Sequence, residues 1–579
     1  MALIDALAER LQPLADRLAD QSMAKETSYS IARRLASKIL LACIMSPIIA
    51  ILAIIIPLTV PTLSNPLGTL FAAAAVAPAL PAAAEYMRYK TAIDGRRRRT
   101  DTEYPFFITF SAIVARCGGT LYTAFNLAKR VRDIFSQTSK EAEEVERKAV
   151  LARMGVLRAM EGHAQSHPHR GFSTAILTTT SVWRSGGDVI TTLESLSAEA
   201  LNYMSRKLQK FADDMATFSE VMFIALILLP MGVAISAIAD PNMAVTVGLL
   251  MAGFVGPALG LTSYIIISSM SPHINNFFEI KAERVLLAVT MGLFIVLASI
   301  LVSSLAGASA PLPVVLSIAI TAASAALYIA VRDQVREVED TEMELRRYLR
   351  TVVEYRKLGI VMSDALKKAS AERYRPGFMR LVKGISSRIS MGLGIYRAAA
   401  IARSWIARVI FWLLEVVDRF GGASPQLLEK VLELLTRYSE AKDELRSRTR
   451  IFVYLNYAAP FLLSFTLAFM LPILETGVFL GPAVVTSPPS IGGMPGATMP
   501  FGQVSAPIEP IMDSAFLMML IPSALLAFSM SRGLELHPWK LINVAIAAAL
   551  YIPAYYLTLS LLPMTRSFLL GGFQSWPSQ

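Results

Sequence analysis

The sequence predicts an all-α, polytopic membrane protein of about nine spans, with two cytoplasmic helical-bundle domains related by internal duplication. Three observations lead to this fold class. Hydrophobic residues make up 54% of the 579 residues and charged residues only 17%, a composition typical of membrane proteins. The charges are concentrated in three blocks that alternate with long uncharged runs. Finally, two stretches about 235 residues apart share one plan, in which a glycine pair precedes a long helical pattern and then an apolar run.

The first of these stretches runs from Arg184 to Pro230 and carries a regular apolar stripe. Apolar residues recur there at alternating spacings of three and four, which places their side chains along one side of a helix. We call this stripe the seam. Its members are Leu201, Met204, Leu208, Phe211, Met215, Phe218 and Met222. The pattern continues without a break into an apolar run, so the helix has a side to bury before it meets lipid.

The second stretch runs from Arg419 to Pro460 and keeps the same spacing. Its stripe has two polar interruptions, Lys442 and Thr449. The full set is Leu428, Val431, Leu435, Tyr438, Lys442, Leu445, Thr449 and Phe452. A soluble helix that passes directly into the membrane is therefore predicted twice.

The domain boundaries follow from the charge blocks and from the length of about 20 apolar residues that one span requires. Residues 1–38 form a cytoplasmic amphipathic segment that lies on the membrane or on the protein itself, and their eleven charges argue against a secretory signal. The uncharged run 39–84 fits two spans. The remaining segments are a first helical domain at 85–220, four spans within 221–331, a second helical domain at 332–450, three spans within 451–563 with an outer loop at 475–513, and an external tail at 564–579.

The distribution of basic residues orients the chain in the membrane. The blocks 1–38, 85–220 and 332–450 contain 50 of the 55 Lys and Arg residues, and basic residues that flank spans remain in the cytoplasm. With the N-terminus in the cytoplasm, only Arg566 lies outside. The prediction is a multi-pass protein of the cytoplasmic membrane with both helical domains in the cytoplasm.

Glycine turns punctuate both helical domains in the same order. In each domain a glycine turn leads to an Ala-Phe or Ala-Leu pair, and a second glycine pair precedes the seam helix. The predicted repeat-motif turns are at Gly118, Gly119, Gly186 and Gly187 in the first domain and at Gly359, Gly421 and Gly422 in the second. Neither domain shows a useful alternating strand pattern, so both are predicted to be helical bundles.

These paired units of about 120 residues, with their glycine turns and a helix that continues into a proline-containing span, resemble the F-type platform proteins. That family includes membrane components of type II secretion systems, type IV pili, tight-adherence systems and archaeal pili or archaella. The resemblance covers roughly 103–230 and 343–472. The extra N-terminal pair of spans, and the extra spans after each unit, depart from the usual bacterial form and are closer to the archaeal and tight-adherence branches.

The resemblance implies a non-enzymatic platform below a growing filament. Its implied partners are a hexameric secretion ATPase, pilin or archaellin subunits, the lipid bilayer and a second copy in a homodimer. The second domain has a net charge of +8, which is suited to an acidic partner, and Arg346, Arg347 and Arg350 are the candidate ATPase contacts. The alternative interpretation is that the basic excess only enforces topology and attracts anionic lipid. The sequence does not identify which filament is built.

Signals for catalysis, cofactors and nucleic-acid binding are lacking. His163, His167 and His169 have a spacing that could suit zinc, but we interpret them as histidines of a surface loop. Cys43 and Cys117 are predicted in different compartments, and the chain has no P-loop sequence. We expect no enzyme activity, cofactor, metal or nucleic-acid partner. The alternative function is a secondary transporter, which is disfavoured because ionisable residues are absent from the middle of the predicted spans.

Overall fold

The computed structural model describes residues 2–23, 26–59, 77–151, 153–239, 241–272, 274, 276–279, 281–306, 311–421, 424–476 and 508–574. Helices account for 87% of it, and the described residues contain no strand. The all-α fold class predicted from the sequence is therefore confirmed.

Among the described residues, the first half of the chain contains eight α-helices, the last of which continues into the central group of spans. They are α1 (Ala2–Ser22), α2 (Ser28–Thr59), α3 (Leu80–Arg116), α4 (Leu121–Lys129), α5 (Thr138–Leu151), α6 (Val156–Gln165), α7 (Arg170–Arg184) and α8 (Val189–Ala239). Local sequence sets several of these ends. Thr120, for example, begins α4 in a capping box with Thr123, which satisfies amide groups that the first helical turn leaves unpaired.

The described part of the second half contains twelve α-helices. They are α9 (Pro241–Leu250), α10 (Gly256–Met270), α11 (Ala282–Ala306), α12 (Leu312–Lys357), α13 (Met362–Ala369), α14 (Pro376–Ser390), α15 (Ile395–Ala398), α16 (Trp405–Gly421), α17 (Pro425–Thr476), α18 (Ile508–Glu535), α19 (Ile542–Ala549) and α20 (Tyr551–Gln574). A π-helical turn at Met251–Val255 joins α9 to α10. Helices α8 and α17 continue from an amphipathic stretch into an apolar run without a break, and α12 continues from an apolar run into a charged stretch.

Seven of the described helical segments are long and apolar enough to cross a membrane. They include α8, α12, α17 and α18, together with the segments at Val245–Met270, Ala282–Ser299 and Ile542–Phe568. Seven such segments indicate a multi-pass membrane protein. The two further predicted spans fall in 39–84, of which residues 60–76 lie outside the described part of the chain.

The predicted amphipathic segment 1–38 begins with α1, in which Ala8, Ala15 and Leu18 pack against α2 and Pro13 is on the exposed side. Two other predicted segments are partly helical in the structure. The ends of the predicted outer loop are helical, since α17 continues to Thr476 and α18 begins at Ile508. The predicted external tail is helical as far as Gln574. Residues 477–507 lie outside the described residues.

The chain forms two compact units. The first comprises Met1–Met204 and Leu413–Leu434, and its core includes a cluster of phenylalanines in which Phe107 packs against Phe125, Phe135 and Phe172. This cluster joins helices α3, α4 and α7, so aromatic burial stabilises the first bundle.

The second unit comprises Ser205–Trp412 and Leu435–Gln579. Tyr348 packs there against Phe378 and Phe411 in the second bundle. Helix α18 is the most buried of the apolar helices, with 72% of its central window inside the protein. A span that contacts other helices on all sides needs no polar side, which explains why the α18 sequence lacks amphipathic periodicity.

Candidate functional site

The seam is on the buried side of α8. Leu201, Met204, Leu208, Phe211, Met215 and Met222 are buried, and Phe218 is half-buried. Met215 packs against Gly533 of α18, where a Cβ atom would overlap the Met215 sulfur. Because residue 533 is glycine, the Met215 side chain of the seam fits against α18 near the end of this span. The sequence contained no signal for this contact.

Helices α8 and α17 pair in parallel. Gln209 Nε2 donates a hydrogen bond to Glu444 Oε2 at 2.9 Å, and Arg448 Nη1 donates to Asp213 Oδ1 at 2.7 Å. In both pairs the partners are 235 residues apart. A constant offset means that the two helices run in the same direction without slippage, so equivalent turns of the two predicted seam helices are neighbours.

A cluster of six buried or partly buried charged side chains lies beside this pair, and we call it the ionic cluster. Its members are Glu339 and Glu342 of α12, Lys442 and Arg446 of α17, Glu535 of α18, and Lys540 in the turn before α19. Lys442 Nζ is 2.6 Å from Glu342 Oε2, and Arg446 Nη2 contacts both Glu342 and Glu535. Lys540 Nζ is 2.8 Å from Glu339 and 2.9 Å from Glu535.

The ionic cluster explains the polar interruption in the second stripe. The Lys442 side chain is only 3% exposed, and a buried ammonium group persists only where carboxylates and hydrogen bonds compensate its lost hydration. Three carboxylates face three cations, so the cluster is neutral. It ties α12 and α17 to the end of α18 and the following turn, where the bundle helices continue into the spans.

The short segment 276–279, between α10 and α11, binds to the second bundle. Phe277 N–H donates to the Arg403 carbonyl at 2.8 Å. Glu279 and Gln334 of α12 form two hydrogen bonds of 2.9 Å. The Glu279 backbone N–H donates to Gln334 Oε1, and Gln334 Nε2 donates to the Glu279 backbone carbonyl. The connection between two spans is therefore fastened to both α12 and the segment before α16.

The turn after α18 packs against that segment. The Phe278 ring lies 5.0 Å from the His537 ring and 6.5 Å from the Trp539 ring. Burial lowers the pKa of His537 to about 3, so this imidazole is neutral at physiological pH. The packing of Phe278 on the neutral His537 ring thus attaches the turn after α18 to segment 276–279, which is itself bonded to the second bundle.

The three candidate arginines of α12 lie around one surface pocket of about 350 Å³ together with Arg375. Arg346 is partly buried and donates to Ser439 Oγ at 3.3 Å. Arg347 stacks over the Tyr374 ring at 5.4 Å, and Arg350 is exposed. Arg375 was not predicted because it is 25 positions from Arg350 in the chain, and only the fold brings it to the pocket.

The predicted glycine turns are located at helix ends. Gly118, Gly186 and Gly359 have φ of +82°, +71° and +80°, values that residues with a Cβ adopt only with strain. Gly119 and Gly187 follow and donate to the carbonyl five residues earlier, as in a Schellman motif. The exception is Gly421, which is the last residue of α16 rather than a turn residue, while Gly422 lies outside the described residues. Sequence inspection missed Gly392, with φ of +85°.

The interpretation of the histidines as surface residues is wrong. His163, His167 and His169 are each less than a tenth exposed, because α6 and α7 fold against α3 and α5. His163 Nε2 lies 2.7 Å from Glu141, which also pairs with Arg96 at 2.6 Å. The described residues contain no group of three or more potential ligands arranged for a metal ion.

Burial and partners shift the protonation of this region. Burial alone would raise the pKa of Glu141. Hydrogen bonds from His163, His167 and Arg96 and the charge of Arg96 have the larger opposite effect, so the pKa of Glu141 is well below its ordinary value. Burial lowers the pKa of His169 to about 4. The neutral His169 ring accepts the Phe172 N–H through Nδ1 at 2.9 Å and caps α7. These groups stabilise the first bundle by holding its helix ends together.

No protein-family model matches the chain, and neither a curated protein nor a solved structure matches it. Function is therefore inferred from the residues and their geometry.

Proposed function

We propose that this protein is the membrane platform of a type IV pilus-like filament machine, which couples a cytoplasmic hexameric secretion ATPase to the extraction and polymerisation of pilin or archaellin subunits. The observation that carries the proposal is the recurrence of one helix order, which ends each time in a helix that enters the membrane. Helices α3 to α8 form the first series and α12 to α17 form the second. The chain acts in this proposal as a non-enzymatic component of the cytoplasmic membrane.

Several corresponding helices in the two series have similar lengths, although α6 with 10 residues is longer than α15 with 4. Helices α4 and α13 have 9 and 8 residues, α5 and α14 have 14 and 15, and α8 and α17 have 51 and 52. Residues with positive φ also fall at equivalent joints, Gly118 and Gly359 after the first helix and Arg153 and Gly392 after the third. These similarities support an internal duplication with the two units inserted in the same direction.

The pairing of α8 with α17 supplies a mechanical connection. Each helix is continuous from a cytoplasmic bundle into a span, and the pair is joined in register by the contacts of Gln209 and Asp213. The ionic cluster and the 276–279 segment attach the second bundle to further spans. A displacement imposed on a bundle by a motor would thus be transmitted into the membrane through rigid helices.

The basic pocket on α12 supports the ATPase as partner. Its lining contains four arginines and one carboxylate, Glu344, while Glu372 pairs with Arg347 and Asp340 pairs with Arg375 from outside the lining. Four cations against three carboxylates leave a positive charge, which favours an acidic partner through charge complementarity. Pilins bind at the membrane in this proposal, and a second copy completes a homodimer. The N-terminus and both bundles are cytoplasmic.

The proposal is tested with the exposed arginines of the pocket. Replacing Arg347 and Arg350 with Glu should weaken co-purification of the ATPase about tenfold, about 1.4 kcal/mol, and more at low salt, where charge interactions are less screened. The matched control replaces Arg380 and Lys383 of α14, which are exposed on the same bundle, and changes the charge equally.

Filament counts by electron microscopy give the second measurement. Cells that lack the chain should assemble no filaments, and the pocket variant should assemble few. Normal filaments in the deletion strain would rule out the platform function. Normal filaments with loss of a solute flux would instead favour the transporter alternative.

A further inference from the structure

The turn between α5 and α6 exposes a compact group of apolar side chains. Val150 is 68% exposed, Leu151 is 76% exposed and Met154 is 44% exposed. We call these three residues the apolar tip. The adjoining helices bury other apolar residues, such as Val145 and Met160, in the bundle core. A group of exposed apolar side chains at a single turn is typical of a contact surface.

Helix α5 runs antiparallel to α3. Thr138, at the start of α5, donates its N–H to Glu103 of α3 at 2.7 Å. Further along α5, Glu141 pairs with Arg96, which lies two turns earlier on α3. Residue numbers therefore fall along α3 as they rise along α5, and the apolar tip points toward the N-terminal end of α3.

That end of α3 adjoins the uncharged run 39–84, which the sequence predicts to contain two spans. Lys38 and Glu85 flank the uncharged run 39–84, and their side chains form an ion pair at 2.7 Å. Charged groups are excluded from the hydrocarbon core. If the predicted spans are correct, the pair marks the level at which α2 and α3 reach the bilayer surface.

The apolar tip extends to about the same level. At 1.5 Å per residue, α3 covers about 16 Å from Arg96 to Glu85, and α5 covers about 15 Å from Glu141 to Leu151. Because Arg96 and Glu141 are in contact, the two distances start from a common point. The tip is thus placed at the bilayer surface and not at the far end of the bundle.

Basic side chains surround the tip. Residues 147–158 contain Arg147, Lys148, Arg153 and Arg158 and no acidic residue. Two nearby carboxylates on α5 have basic partners outside this group, since Glu143 pairs with Arg132 and Glu146 with Lys129. Glu144 pairs with Arg147, so the basic excess at the tip rests on Lys148, Arg153 and Arg158. An apolar centre with a basic surround complements a bilayer that carries anionic headgroups.

We propose that the α5–α6 turn is a lipid-binding element that inserts the apolar tip into the headgroup region of an anionic bilayer. The apolar side chains enter the interface and the basic side chains bind lipid phosphates. The bundle is thereby held against the membrane at a second place besides its spans. The proposal depends on the position of the tip relative to α3 and is independent of the platform function.

The second bundle has a similar turn at the equivalent joint. Between α14 and α15, Met391 is 76% exposed and Leu393 is 42% exposed. Arg388 and Arg397 flank them, and residues 388–397 contain no acidic side chain. Repetition of exposed apolar and basic residues at this joint supports a common role.

Depth measurements on the full-length protein test the proposal. Leu151→Cys and Ser185→Cys are made in a protein whose Cys43 and Cys117 are replaced by Ala, labelled with an environment-sensitive fluorophore and reconstituted in vesicles of phosphatidylcholine and phosphatidylglycerol. Ser185 is an exposed control in the turn before α8, close to where Glu194 pairs with Arg116 at the other end of α3.

Lipids that carry a nitroxide near the headgroup should quench the label at position 151 several-fold more than the label at 185. Replacing Arg153 and Arg158 with Gln should remove the part of this quenching that depends on phosphatidylglycerol. Equal quenching at the two positions, whether strong or absent, would overturn the proposal. Crosslinking of the Leu151→Cys protein to a second copy, without lipid quenching, would overturn it in favour of a protein contact.

Discussion

At the scale of single residues, Lys442 shows how a charge can occupy a position that the helical pattern assigns to an apolar side chain. Its ammonium group contacts Glu342, and its α-helical neighbour Arg446 contacts both Glu342 and Glu535. Buried ion pairs contribute little net stability when compared with apolar packing, but the loss of one partner is costly because the other charge stays buried. We therefore interpret the ionic cluster as a device that holds α12, α17 and α18 in one specific arrangement.

This interpretation predicts a large effect for Glu535→Gln. The substitution leaves Arg446 and Lys540 with one carboxylate partner fewer in a buried site and should destabilise the protein by roughly 3 kcal/mol. The measurement is the thermal unfolding midpoint of the purified protein in detergent. Asp443→Asn is the matched control, since Asp443 is 65% exposed and lies 4.0 Å from Arg446. Equal midpoints for the two variants would contradict the structural role of the cluster.

At the scale of helices, α8 and α17 dominate the architecture. Helix α8 has 51 residues, which corresponds to about 76 Å at 1.5 Å per residue. Such a helix is stable because its seam is buried along the bundle and its apolar run is buried in the membrane. The contacts of Gln209 and Asp213 with α17 fix the rotation of α8 about its own axis. The seam and the apolar run of α8 must therefore keep a fixed angular relation to each other.

A single inserted residue tests this phase relationship. One Ala between Lys210 and Phe211 separates Gln209 from Asp213 and turns everything beyond by about 100°. We expect filament assembly to be lost while the protein remains in the membrane. An insertion of seven residues, nearly two full turns, should restore much of the phase and do less harm.

Electron microscopy of filaments and immunoblots of membrane fractions provide the two measurements. If the seam only stabilises the core, both variants should lose protein, and the longer insertion should lose at least as much. Full assembly with the single Ala would show that the rotational phase of α8 is unimportant.

At the scale of the whole molecule, charge distribution decides how the protein is inserted. Fifty of the 55 basic residues lie in the N-terminal segment 1–38 and the two bundles, and the apolar helices between them contain few charges. Transfer of a basic block across a bilayer is unfavourable. The orientation with a cytoplasmic N-terminus therefore remains the prediction for the complete chain.

Cysteine labelling in intact cells checks this orientation. In the background without Cys43 and Cys117, Ser490→Cys should react with an impermeant thiol reagent and Ser185→Cys should react only after permeabilisation. Ser185 is preferable to Ser370, which is only 6% exposed and would stay unlabelled on either side. The reverse pattern would invert the topology and remove the cytoplasmic ATPase as a partner.

The sequence by itself determined the all-α class, the glycine turns after α3, α7 and α12, and the buried side of α8. These properties depend on hydrophobic periodicity, on glycine at helix ends and on the length of uncharged runs, all of which are local along the chain. It also identified Arg346, Arg347 and Arg350 as a basic group, because they are neighbours on one helix.

Only the tertiary structure decided which distant residues meet. Lys442 and Glu342 are 100 positions apart, and Arg446 and Glu535 are 89 apart. No local pattern encodes such pairs, so the ionic cluster was not predicted and Lys442 was seen only as an interruption. The burial of the three histidines and the direction of the apolar tip were likewise decided by how α5, α6 and α7 pack against α3. A helical pattern specifies which sides of a helix are apolar, but the partner that covers or leaves open each side depends on contacts between remote segments.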